Sequence, residues 1–187
     1  MLARSDDHGA SFTRVADISR LGKFINLSAE TVACDDFEDL PTCNGQGQFL
    51  WGSGEYRRSS VSLAFQPLAL IEDPSSLRYF TGMDGDAPRW STEEADAIPL
   101  FDENCVGELS VAYSTHLKKW LMTYNCLSNR GILLRTADQP WGPWSGTVKL
   151  FDPDLDDGYC HIMHVSYAER RCDTVFDPGR ENESGGE

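Results

Sequence analysis

Glu108 is the one acid within an apolar stretch, GELSVAY over 107–113, where it shares a strand with Leu109, Val111 and Tyr113. Apolar surroundings disfavour a charged carboxylate, so its pKa is expected to rise, and a carboxyl still protonated near neutral pH can donate a proton. Upstream, Gly52-Ser53-Gly54-Glu55-Tyr56-Arg57-Arg58 places two cations and a phenol behind two glycines that permit a sharp bend and close approach to a ligand. Adjacent residues of a strand point to opposite sides, so one arginine at most faces inward, and Arg58 is the choice. A guanidinium there can orient a carboxylate or bind a pair of hydroxyls. Tyr56, Trp51 and Trp90 have the flat apolar faces that stack on sugar rings, although such rings in sheets more often fill the core. His161 and His164, three apart in YCHIMHVS, project to opposite faces of a regular strand. They cannot share a metal without a bulge, and Asp84 and Asp86 lack the remaining ligands of a calcium loop, so no metal centre is expected. An imidazole can still hold substrate. Neither a nucleophile elbow, a phosphate-cradling loop nor a dinucleotide fingerprint occurs, and no cofactor is expected.

The elements that would position these groups are strands. Gly107–Tyr113, Lys118–Cys126, Gly131–Ala137 and Gly146–Phe151 follow one another with turn-rich breaks and no helix between them. Four antiparallel strands in succession, apolar on both faces, describe one blade of a β-propeller lying between neighbours. Lys23–Ala33 opens an earlier blade, continued by Gln48–Trp51, Ser60–Pro67, Leu77–Thr81 and a weak strand at Trp90. Thr92 is placed as the cap of one helical turn over 92–96. Ser5-x-Asp7-x-Gly9-x-Ser11-Phe12 is similar to the Asp-box of sialidase-type propellers, a hairpin turn in which Asp7 accepts main-chain N–H bonds and Phe12 tucks beneath. It joins a strand ending at Ser5 to one over 13–18. Tyr159–Ser166 reads as the inner strand of a further blade. The expectation is therefore an all-β fold: about two complete blades plus partial ones, a single partial propeller domain over 1–187 with a polar tail at 178–187. A ring needs ~4–8 blades to bury its sheets, so the chain is read as the middle of a longer domain.

Thirty acids against sixteen basic residues give a formal charge of −14, which repels nucleic acid and anionic membranes but tolerates neutral sugars. No apolar run is long enough to span a bilayer, and MLARSDDHG is too charged and short for a secretory signal. Six cysteines fit three pairs. With Tyr113 opposite Lys118, Cys105 falls opposite Cys126; Cys160 and Cys172 bracket a second hairpin; Cys34 and Cys43 clip a loop. Such pairing favours an oxidising, extracellular compartment, while six buried free thiols remain the alternative. The sequon Asn26-Leu27-Ser28 falls inside a strand and is read as unmodified.

WGSGEYRRSSVSLAF, RYFTG, VGELSVAY, KKWLMTYN and RTADQPWGPWS, in this order, closely resemble the family of domains of unknown function numbered 4185, from the SDDHGASF box to the chain's end. The resemblance implies a five-bladed propeller of the glycosidase type, some of whose relatives cleave microbial arabinan as endo-D-arabinofuranases. It implies a polysaccharide or oligosaccharide partner and, by analogy with glycosidase propellers, a general-acid role for Glu108. Hydrolysis needs a second carboxylate, ~5–5.5 Å away for retention or ~6.5–9.5 Å for inversion, expected on a blade outside this chain. A non-catalytic carbohydrate-binding propeller and an inactive fragment are the alternatives.

Overall fold

A computed structural model describes residues 1–126, 131–153, 155, 156 and 158 of the chain. Among them regular structure is strand with short 3-10 turns, and no helix is long and apolar enough to cross a membrane. The strands are β1 (Leu2–Arg4), β2 (Thr13–Ala16), β3 (Asn26–Ala33), β4 (Gln46–Ser53), β5 (Val61–Pro67), β6 (Arg78–Asp84), β7 (Ala87–Ser91), β8 (Val106–Ser114), β9 (Lys119–Cys126), β10 (Ile132–Ala137) and β11 (Val148–Phe151). They form a β1–β2 ribbon, a five-stranded sheet β3-β4-β5-β6-β7 and a four-stranded sheet β8-β9-β10-β11, each an antiparallel meander.

Burial follows the pleat. β5 is buried along its whole length because both faces of its sheet are covered. One face sends Phe49, Trp51, Leu63 and Phe65 into a core shared with Val111, Trp120, Met122 and Leu133 of the second sheet. Trp51 and Trp120 meet there at 5.2 Å between ring centroids, within the range of favourable tilted aromatic pairs. Leu50, Ala64 and Tyr79 emerge on the other face and pack with Phe24 and Leu77. β9 alternates buried Trp120, Met122, Tyr124 and Cys126 with half-buried residues, the period-two pattern of a strand with one core face.

The first strands of the two sheets lie side by side. Ser28 Oγ of β3 accepts from Val111 N at 2.8 Å, and Ser53 Oγ of β4 donates to Gly107 O at 2.8 Å. The sheets are thus stitched by serine side chains, with β8 lying against β3 and β4.

Several expectations are corrected. The hairpin between β8 and β9 pairs Tyr113 with Trp120, not Lys118, because the loop closes at Ser114↔Lys119 with Lys118 at φ +54°. A two-residue slip keeps every side chain on its face, so the predicted alternation survives. Phe12 is exposed instead of tucked in. Asp7 does accept from Ser11 N at 2.9 Å and Ser11 Oγ at 2.6 Å, and these bonds, led by the Ser11 hydroxyl, lower its pKa to about 2. Thr92 is not a cap: the turn over Glu94–Asp96 starts from Glu93, whose N–H is held by Ser91 Oγ at 3.0 Å. Two predicted disulfides are present, Cys34–Cys43 and Cys105–Cys126. Cys160 and Cys172 lie outside the described residues. Asn26 is half-buried, and its Nδ2 donates to Ser53 Oγ at 3.2 Å.

Candidate functional site at the β8 bulge

The register of β8 breaks near its start. Val106 pairs with Cys126 and Leu109 with Tyr124, so Gly107 and Glu108 together face the single residue Asn125. This is a β-bulge, a device that re-aims a side chain out of the regular alternation. Gly107 is required by close approach: a Cβ there would lie 2.0 Å from Asn125 Oδ1 and 3.0 Å from Arg57 Cγ. Asn125 can then reach across and donate from Nδ2 to Glu108 Oε2.

The loop after β4 supplies the other neighbours. Val106 N donates to Ser59 O at 2.9 Å and Arg57 N to Val106 O at 3.1 Å, docking residues 54–59 against the start of β8. Arg57 takes a left-handed backbone at φ +55°, and its guanidinium carbon lies 4.8 Å from the Tyr56 ring centroid. That is cation–π range. Gly52 and Gly54 make this loop possible by close approach to neighbouring protein atoms. A Cβ on Gly52 would meet Phe24 Cα at 2.8 Å, and one on Gly54 would meet Gly22 O at 2.6 Å.

These contacts overturn the expected protonation of Glu108. Burial does push its pKa up, but the bonds from Asn125, from its own main-chain N–H and from the Tyr56 hydroxyl, with the Arg57 charge, outweigh burial and leave it below the ordinary value. Hydrogen bonds to the charged form favour that form. The Tyr56 phenol moves the other way, raised by burial and then by its bond to Glu108, so it stays a donor at neutral pH. The result is an exposed, ionised carboxylate with an amide, a phenol and a guanidinium around it. Such a group can accept hydroxyl protons or act as base or nucleophile, and at neutral pH it has no proton to give.

The structure distributes the other sequence-derived candidates unevenly. Tyr56, about one-third exposed, lies beside Glu108 and bonds it through its hydroxyl. Arg58 does not: it pairs with Glu55 at 3.2 Å with both side chains largely in solvent, and the cation that acts on Glu108 is Arg57. The left-handed residue at 57 breaks the strand alternation on which the choice between them rested. Trp51 is fully buried and donates from Nε1 to Pro140 O at 3.0 Å, so it offers no face to a sugar. Trp90 is half-buried and packs against the edge of the core, beside Phe65, Phe80 and Trp141, with Nε1 on Asp39 O. His161 and His164 lie outside the described residues. Asn125, Arg57 and Gly107 were missed, because a bulge is set by pairing register and leaves no mark in the hydrophobic pattern.

Two further polar clusters have structural explanations. Glu103 accepts from the Tyr124 hydroxyl and pairs with Arg135 at 2.9 Å, while Arg135 lies 4.3 Å over the Phe101 ring, which closes this network internally. Glu103 also lies within 4.8 Å of Cys105 and Cys126 Sγ, but both sulfurs are committed to the disulfide. A groove of about 600 Å³ bordered by Arg20, Leu21, Leu77, Tyr79 and Glu94 is where the Glu94 carboxylate binds the main chain of the β2–β3 loop.

The family described as a domain of unknown function, DUF4185, matches the chain over residues 1–171. Comparison with curated proteins gives no match.

Proposed function

We propose, from the premise that this chain belongs to the DUF4185 family, that it forms blades of a β-propeller acting on carbohydrate in the manner of a glycoside hydrolase, on arabinan or a related polysaccharide. The observation that carries the reading is Glu108: a bulge aims it, and three neighbours keep it ionised. Two successive antiparallel meanders whose first strands adjoin support the propeller arrangement. Exposed Tyr56 beside the carboxylate offers a ring face and a hydroxyl to a sugar. Two disulfides suit an extracellular protein that meets polysaccharide outside the cell.

Hydrolysis divides its work between a protonated and an ionised carboxyl group. Glu108 takes the ionised part, as base toward water or as nucleophile at the anomeric carbon. The proton for the leaving oxygen then comes from a different carboxyl group. Asn125 holds Glu108 in place, and Tyr56 and the Arg57 charge help keep it ionised.

A second reading, carbohydrate binding without cleavage, is favoured by the same lowered pKa, since ionised carboxylates with fixed donors also hold sugar hydroxyls. Sugar release from microbial arabinan and a panel of other glycans, by the protein and by Glu108→Gln, separates the two. A fall of ~10²-fold or more with folding intact supports hydrolysis. Binding without release supports the second reading, and equal release by both proteins removes Glu108 from the site.

A further inference from the structure

We propose that the Cys105–Cys126 disulfide is a positioning element of the Glu108 site, holding the bulged pair Gly107–Glu108 against Asn125. The argument rests on where the β8–β9 ladder ends. From Leu109↔Tyr124 to Ser114↔Lys119 the register is continuous, and on the far side of the bulge the described residues of the two strands pair at Val106↔Cys126. A pair beyond a bulge that interrupts the ladder's hydrogen bonds ties the two strands together less firmly than an unbroken ladder does. The disulfide lies at that point, with Cα atoms 4.8 Å apart and both cysteines buried.

Its two half-cystines are sequence neighbours of the groups that matter. Cys126 follows Asn125, the amide that bonds Glu108. Cys105 precedes Val106, whose N–H and carbonyl receive the loop carrying Tyr56 and Arg57. The covalent link therefore fixes Asn125 and the loop that carries Tyr56 and Arg57 relative to each other. The second disulfide, Cys34–Cys43, closes the loop between β3 and β4 and touches none of these groups, which makes it an internal control. The inference concerns the geometry of Glu108 and deepens the functional reading only through it. Its readout is therefore independent of any activity.

The test is a carboxyl-carbon NMR titration of Glu108 in the full chain, assigned by the signal lost in Glu108→Gln. It compares the oxidised protein with Cys105→Ala/Cys126→Val, which keeps the buried site apolar, and with Cys34→Ala/Cys43→Ala. The expected result is a Glu108 titration moved upward toward an ordinary glutamate in the first variant alone, with near-ultraviolet circular dichroism showing an intact core. An unchanged Glu108 titration in a folded Cys105→Ala/Cys126→Val protein overturns the proposal, and so does an equal shift in the control. Should that variant not fold, the same titration is read after reduction of the native protein by dithiothreitol without denaturant. Unfolding by both routes also overturns it, because the bond would then brace the whole fold and not this site. If no glycan is cleaved, the functional reading fails while the titration still decides this inference.

Discussion

Replacing Glu94 tests how the site loop is supported from a distance. Glu94 is 8% exposed and accepts four bonds: from Ser19 Oγ at 2.5 Å, Arg20 N at 2.7 Å, Leu21 N at 3.0 Å and Lys23 N at 3.2 Å. Together they fold the β2–β3 loop so that Phe24 covers Gly52 and Gly22 O meets Gly54, the residues leading into Tyr56 and Arg57. Hydrogen bonds to a charged group contribute ~1.5–3 kcal/mol each, but the adjoining groove lets water replace part of what is lost. Glu94→Ala should therefore cost about 2–4 kcal/mol, since it leaves neutral donors unpaired but strands no charge. Glu94→Gln keeps an acceptor for Ser19 and Lys23 but turns an NH₂ toward the N–H groups of Arg20 and Leu21, and should cost roughly half as much. Urea unfolding curves measure both. Burial raises the Glu94 pKa, yet the four bonds outweigh it and the net shift is downward from 4.5. A depressed carboxylate stabilises fully above its unfolded pKa and loses that contribution as pH falls through the folded value. Wild-type stability should accordingly drop below about pH 4.5 more steeply than that of Glu94→Gln. A Glu94→Ala protein within ~0.5 kcal/mol of wild type, the range of ordinary surface changes, would refute this account of the loop.

Gly107→Ala forces a Cβ to within 2.0 Å of Asn125 Oδ1; Asn125 must move, the Glu108 pKa should rise on NMR titration, and overpacking should cost ~1–3 kcal/mol. Tyr56→Phe removes one of the bonds that lower the Glu108 pKa, so that pKa should rise while the urea midpoint stays near wild type. Trp51→Phe should do the opposite, lowering the midpoint through loss of core volume and of the bond to Pro140 while the Glu108 titration holds. Opening Cys34–Cys43 as Cys34→Ala/Cys43→Ala should cost ~2–3 kcal/mol by calorimetry from the loop-closure entropy of a short loop, with the site unaffected.

Strand order, two disulfides and the placing of Glu108 in β8 were legible because alternation, turn residues and cysteine spacing are properties of local sequence. The protonation of Glu108 was not. Apolar neighbours along a strand suggested desolvation, whereas the deciding groups come from β9 and from the β4–β5 loop, and a bulge brings them together. Choosing Arg58 over Arg57 failed for a related reason, since the alternation rule stops at a residue with positive φ. Trp51 and Trp90 could not be told from sugar platforms by residue type, because aromatic rings serve cores and ligands with the same apolar face. Glu94 gave no signal at all: its donors, three main-chain N–H groups and the Ser19 hydroxyl, lie more than seventy residues away in sequence.

The central claim, that Glu108 acts as an ionised carboxylate and not as the proton donor, is tested most directly by leaving-group dependence. The nitrophenolate of a nitrophenyl arabinofuranoside departs without protonation, so loss of a general acid matters little on that substrate, whereas loss of a base or nucleophile matters as much as on arabinan. Measured on both substrates, Glu108→Gln should be impaired on each by ~10²-fold or more. Recovery of near-wild-type kcat on the nitrophenyl substrate alone would contradict the claim and return Glu108 to the acid role.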